Sequence, residues 1–184
     1  MRRPHGGRLG FLVVGATRPG FTLYELVTVM VVVAIVAVAV GGPTLGHLAA
    51  IRARAAAARI AADMAFVQRY AMSSRLRTWA DFDPSQNRYT LYAENPSLPG
   101  KANRLRLSHP ATQTDDDVQL NTGLFAGVSF ASVSFGGTDE IEFDSFGVPR
   151  DGNSSALSTD GVLTLSSGAT LTVRPLTGLV EVSP

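Results

Sequence analysis

The 184-residue chain contains no cysteine, which excludes a disulfide framework, thiolate metal sites and a cysteine nucleophile together. Histidine is scarce as well. His5, His47 and His109 stand far apart, and none belongs to a metal-ligand spacing such as HExxH. No Gly-x-Ser-x-Gly elbow and no glycine-rich phosphate loop is present. The chemistry-bearing residues gather into no constellation, so the sequence points away from an enzyme and calls for neither a metal nor another cofactor. Acids are missing where bases concentrate. Residues 1–20 hold Arg2, Arg3, Arg8 and Arg18 with no acid, and 46–78 hold six arginines against Asp63 alone. From Ala80 to Pro184 the balance reverses, with 13 acids against 6 bases. An acidic body is a poor surface for phosphates, so nucleic acid is not expected as a partner.

What the sequence does contain is a long apolar run. Leu26 to Leu45 is 20 residues without a charge. At about 1.5 Å per residue, a helix of this length covers the roughly 30 Å of a bilayer's hydrocarbon core. Valine dominates it, but backbone groups in lipid leave helix as the single-segment solution. A secretory signal core is typically about 7–15 residues, and this run is longer, so a retained membrane helix is expected. The acid-free arginine cluster before it favours a cytoplasmic amino terminus with the body on the other side. A second apolar patch, Phe11–Gly15, is too short to span a membrane. Gly41-Gly42-Pro43 predicts a kink at Pro43, or equally the ordinary end of the membrane helix. One acid, Glu25, sits just inside the amino-terminal edge of the apolar region. It is either an interfacial residue whose charge suits a helix start or a charge that awaits a partner.

Gly20-Phe21-Thr22-Leu23-Tyr24-Glu25, followed at once by the apolar run, resembles the class III signal of type IV pilins and type II secretion pseudopilins. The resemblance implies cleavage of the Gly20–Phe21 bond by an inner-membrane prepilin peptidase and methylation of the new amino terminus, Phe21. It gives Glu25 the role of pairing with the amino terminus of a neighbouring subunit during assembly. Other pilin or pseudopilin subunits and assembly-platform proteins are then the implied partners. The implied location is the inner membrane as a single-pass protein, or a surface filament. Glycine before the scissile bond lets a protease approach the backbone closely, and the freed amine is the cation that a carboxylate at the hydrocarbon edge requires.

Beyond Pro43 the pattern turns amphipathic. Leu48, Ile51, Ala55, Ile60, Met64, Val67 and Ala71 recur at helical spacing. One helix is predicted from about Thr22 to Ser74, its second half packed on the body. The arginines between those positions read as a solvated face meeting acidic neighbours, ahead of a DNA or lipid-headgroup stripe. After Ala80 short runs alternate: Arg88–Ala93, Gly127–Phe135, Glu140–Phe143, Val162–Leu165, Ala169–Arg174 and Leu179–Val182 are predicted strands. Ser166–Gly168 and Pro175–Gly178 are predicted turns that make the last three strands an antiparallel meander. The fold class is α+β: a leader (1–20), a membrane or filament-core helix (21–45), an amphipathic helix (46–78) and a β-rich domain (79–184).

Two acidic groups, Asp115–Asp117 and the set Asp139, Glu140, Glu142 and Asp144, do not follow calcium-loop spacing. Alternation sets Glu140, Glu142 and Asp144 opposite Ile141 and Phe143, which predicts an exposed sheet edge. The order of long helix, Phe143–Gly152 (FDSFGVPRDG), strand, Gly-turn, strand and closing Thr177-Gly178-Leu179-Val180 resembles the GspH/FimT branch of minor pilins. DNA-uptake members of that branch carry a basic last strand, whereas here Gly178 is followed by Leu179-Val180-Glu181. The sequence thus reads as a minor pilin or pseudopilin subunit that serves secretion, motility, adhesion or DNA uptake. The alternative is a membrane-tethered module that captures DNA or a secreted substrate.

Overall fold

The computed structural model describes residues 20–108 and 117–183, and of residues 38–47 the backbone alone. The chain divides into two compact units, 1–42 and 43–184. Helix α1 is Leu23–Ser74. It starts for a local reason: the Thr22 hydroxyl accepts the backbone N–H of Glu25 at 3.2 Å, and the Thr22 carbonyl accepts that of Leu26 at 3.1 Å. Thr22-x-x-Glu25 is therefore a capping-box sequence. In the first unit every described side chain from Gly20 to Ala37 is exposed. Among the described residues no helix is long and apolar enough to cross a membrane, and the described side chains of the Leu26–Leu45 run extend only to Ala37. The helix assignment continues through Pro43, whose side chain lies outside the described residues.

In the second unit α1 buries Ala53, Ala56, Ala57, Ile60, Met64, Val67 and Ala71, a stripe at spacings of three and four residues. Its alanines bring the helix backbone close to the sheets. Leu48, Ile51 and Ala55, which the sequence groups with that stripe, are exposed instead. The buried face at that end is Ala53, Ala56 and Ala57, on nearly the opposite side of the helix, about half a turn away. The helix stops where Arg75 turns to φ 60°, the left-handed conformation typical of helix ends.

Ten strands follow. The first sheet comprises β1 (Thr78–Asp83), β2 (Arg88–Ala93), β3 (Leu105–Arg106), β4 (Val118–Gln119), β6 (Glu140–Phe143) and β7 (Pro149–Asp151). Its order is β3-β2-β1-β6-β7, with β4 also on β2. The second comprises β5 (Phe130–Ser134), β8 (Gly161–Leu165), β9 (Thr170–Val173) and β10 (Val180–Ser183), in the order β10-β9-β8-β5. All pairings are antiparallel, and β8 to β10 form the expected meander. The α+β class with a helix packed on antiparallel sheets is the pilin-like arrangement anticipated from the sequence.

Ala80, Phe82, Tyr89, Leu91, Ile141 and Phe143 join the helix stripe and residues of the second sheet in one core. Phe82 is its aromatic centre, with ring centroids of Tyr89, Phe135 and Phe130 at 5.4, 5.6 and 5.7 Å. The anticipated exposed edge at Glu140–Asp144 is corrected here. β6 lies between β1 and β7, and Glu140 and Glu142 are only 8% and 1% exposed.

Candidate functional site

Two regions bear on function: the amino-terminal signal and the polar faces of the body. Gly20, Phe21 and Glu25 are all exposed, with Phe21 at 82%. Phe21 thus presents an unburied aromatic beside an accessible Gly20–Phe21 bond, and Glu25 stands in the first turn of α1. Residues 1–19 of the expected leader, His109 and the acids Asp115 and Asp116 lie outside the described residues.

On the body, the sheet face turned away from α1 holds an ionic lattice. Glu142 accepts the Trp79 indole N–H at 2.9 Å and the Ser154 hydroxyl at 2.6 Å. Arg77 pairs with Glu94 and has its Nη1 3.8 Å from Glu142 Oε1. Its guanidinium also lies 5.6 Å over the Trp79 ring. The hydrogen bond from Arg77 holds the Glu94 carboxyl below the usual range, and Glu94 in turn raises Arg77. Glu140 pairs with Lys101 and Arg104, and Arg104 continues to Asp81 at 2.7 Å while stacking 3.9 Å over Tyr92. Asp117 gathers Arg88 at 2.7 Å, Arg106 at 2.9 Å and the Thr90 hydroxyl at 2.6 Å. The Thr90 hydrogen bond, followed by the two arginine charges, lowers its carboxyl.

Of the acids that composition alone would offer to calcium, Asp117, Glu140, Glu142 and Asp144 each have cationic partners of their own. Asp144, for instance, binds Arg150 at 3.0 Å and accepts the backbone N–H groups of Phe146 and Val148. Among the described residues no three His, Cys, Asp or Glu side chains are gathered to hold a metal. A polar hollow of about 270 Å³ between β1, β2 and β3 mixes Asp81, Asp83, Asp117 and Asp139 with Arg88 and Arg106. Within it Arg88 and Arg106 bind Asp117, and Arg88 also lies 3.5 Å from Asp83; nothing among these residues resembles a nucleophile and its base.

The helix arginines divide. Arg59 binds Asp63 at 2.8 Å, and the buried Asp63 also accepts the Tyr89 hydroxyl at 2.6 Å. Burial, and then the Asp63 charge, push that hydroxyl's pKa well up. Arg77 belongs to the sheet lattice, and Arg52 reaches the Ala126 carbonyl at 3.4 Å. Arg54, Arg69 and Arg75 remain on the exposed side. The face meeting acidic neighbours is real for Arg59 and Arg77.

A feature invisible to sequence reasoning ties the FDSFGVPRDG loop to the closing turn. The Gln68 amide donates to the carbonyls of Gly147 at 2.8 Å and Thr177 at 2.7 Å. Both turns reach the helix because Gly147 and Gly178 lack a side chain. They sit at φ 80° and 65°, and a Cβ would meet Met72 at Gly147 and Gln68 at Gly178. The motif residues thus form one contact on α1.

No family model matches the chain, and no curated protein matches it in sequence. Among solved structures it is similar to the minor pseudopilin EpsH from the Type 2 secretion system of Vibrio cholerae. The TM-score is 0.50 at 12% identity, over 72% of this chain and 96% of that one. At this identity the likeness carries the fold, and the fold is pseudopilin-like.

Proposed function

We propose that the chain is a minor pilin or pseudopilin subunit, stored in the inner membrane by the apolar half of α1. A prepilin peptidase cuts between Gly20 and Phe21, Phe21 is N-methylated, and the mature chain is built with other subunits into a type II secretion pseudopilus or type IV pilus. One observation carries this reading: the GFTLYE signal opens the same helix whose continuation packs on a body of pseudopilin-like fold.

Cleavage creates an amine that methylation leaves charged. Glu25 lies four residues beyond it, one helical turn. At a hydrocarbon edge a lone carboxylate is costly and a paired one is not. A neighbour's amine, displaced along the filament axis, would remove that cost and fix the register between subunits. The capping-box sequence offers the Glu25 carboxylate a competing, local role at the Thr22 N–H, opposite the bond that the Glu25 backbone N–H makes to the Thr22 hydroxyl.

Glu25→Gln separates the two roles, because glutamine also serves a capping box but carries no charge. The variant is expected to insert and be processed normally, while its incorporation into filaments falls at least about tenfold, as breaking a buried pair costs roughly 3–5 kcal/mol. Incorporation equal to that of the unaltered chain would assign Glu25 to the helix cap alone.

A further inference from the structure

The body carries an apolar patch that its own core leaves uncovered. The single turn Gly123–Phe125 lies against α1, and Gly123, Leu124 and Phe125 line a hollow of about 340 Å³ with Leu48, Ile51 and Ala55. Leu124 is 83% exposed, Ile51 61% and Leu48 43%. The bond from Arg52 to the Ala126 carbonyl fastens this turn to the helix.

We propose that this patch rests on an anionic lipid surface, with Leu48, Ile51 and Leu124 at the headgroup–acyl boundary and Arg52 and Arg54 among the phosphates. This rests on the reading of the chain as membrane-anchored. Two observations select lipid as the occupant. The first is position along the chain. Leu48 and Ile51 follow the apolar run ending at Leu45 by three and six residues, about 5–9 Å of helix. A headgroup layer adds about 5–8 Å to each side of the hydrocarbon, so these residues fall at its depth. The second is charge. Residues 46–62 hold Arg52, Arg54 and Arg59 with no acid, and Arg59 is already bound to Asp63. Arg54 is exposed. Large apolar side chains bordered by arginine are the signature of an interfacial helix, and anionic leaflets attract such segments. The remainder of the body, with 13 acids against 6 bases from Ala80 to Pro184, is repelled by the same leaflet.

Because the chain has no cysteine, single-cysteine variants of the full protein can each carry one environment-sensitive fluorophore. Labels are placed through Val33→Cys, Leu124→Cys and, as a control on an exposed turn, Asn153→Cys. The protein is reconstituted in phosphatidylcholine vesicles with or without phosphatidylglycerol, and quenched by lipids bearing a nitroxide at the headgroup or in the acyl chain. The labels at 33 and 124 are expected to be quenched and the label at 153 to be silent. Quenching at 124 is expected to be strongest at headgroup depth with phosphatidylglycerol present. It should fall several-fold when Arg52→Gln and Arg54→Gln are combined, with position 33 unchanged. Quenching at 33 with none at 124 would overturn this proposal and leave the membrane reading intact. A blue shift at 124 that grows with protein-to-lipid ratio but ignores nitroxide lipid would assign the patch to a second copy of the chain and likewise overturn it. No quenching at 33 would overturn both.

Discussion

Gly178 lies where the closing turn meets α1, at φ 65° and against Gln68 and Phe143. Gly178→Ala combines a strained backbone with a displaced Gln68 amide. The expected loss is roughly 1–3 kcal/mol, read as a melting temperature several degrees lower. The lattice acids give a second residue-scale outcome. Glu94 and Asp117 are held below their ordinary values by Arg77 and by Thr90 with its arginine neighbours. Their unfolded counterparts titrate near 4, so as pH falls the unfolded chain takes up protons first. The stability they contribute is present above that value and is lost as pH drops through the folded values. Thermal melting should be level above about pH 5 and fall below about pH 4. Glu94→Gln and Asp117→Asn should each lower the plateau and flatten the acid limb; an unchanged acid limb in the double variant would remove these pairs from the account.

At the scale of elements, α1 separates a buried stripe from an exposed one. Met64→Ala, at a fully buried position, should cost roughly 2–5 kcal/mol, whereas Ile51→Ala should leave the melting of the body unchanged. Equal losses at both positions would contradict the assigned face. The helix span and the strands β2, β6, β8, β9 and β10 were legible because hydrophobic periodicity and Gly or Pro punctuation are local signals. The stripe's phase at 48–57 was not, because alanine reads as neutral and it is alanine that packs. β1 was missed for another reason. In Thr78–Asp83 (TWADFD) the outward positions hold Trp79, Asp81 and Asp83, and aspartate is depleted in strands. Only tertiary partners, Glu142 for Trp79 and Arg104 for Asp81, make that pattern stable. The exposed edge expected at β6 failed through the same cause: alternation gives the face of each carboxylate but not the arginines that cover it. The two hydrogen bonds that Gln68 donates reach carbonyls 79 and 109 residues away in sequence, a distance at which no single-sequence pattern operates.

For the whole molecule, the charge layout and the fold describe one design. A basic head precedes an apolar run, and a body rich in acids carries most of its arginines in internal pairs. That leaves little free positive surface for phosphates, which disfavours the DNA-capturing module. In α1 the described side chains up to Ala37 are all exposed, whereas the stripe from Ala53 to Ala71 is committed to the body. The proposed role stands or falls on what happens at Gly20, since processing makes the charge that Glu25 is proposed to meet. The most direct measurement is intact and peptide mass spectrometry of the chain recovered from cells with an active prepilin peptidase. The account predicts a mature chain beginning at N-methylated Phe21. A chain that retains residues 1–20 under those conditions would contradict it.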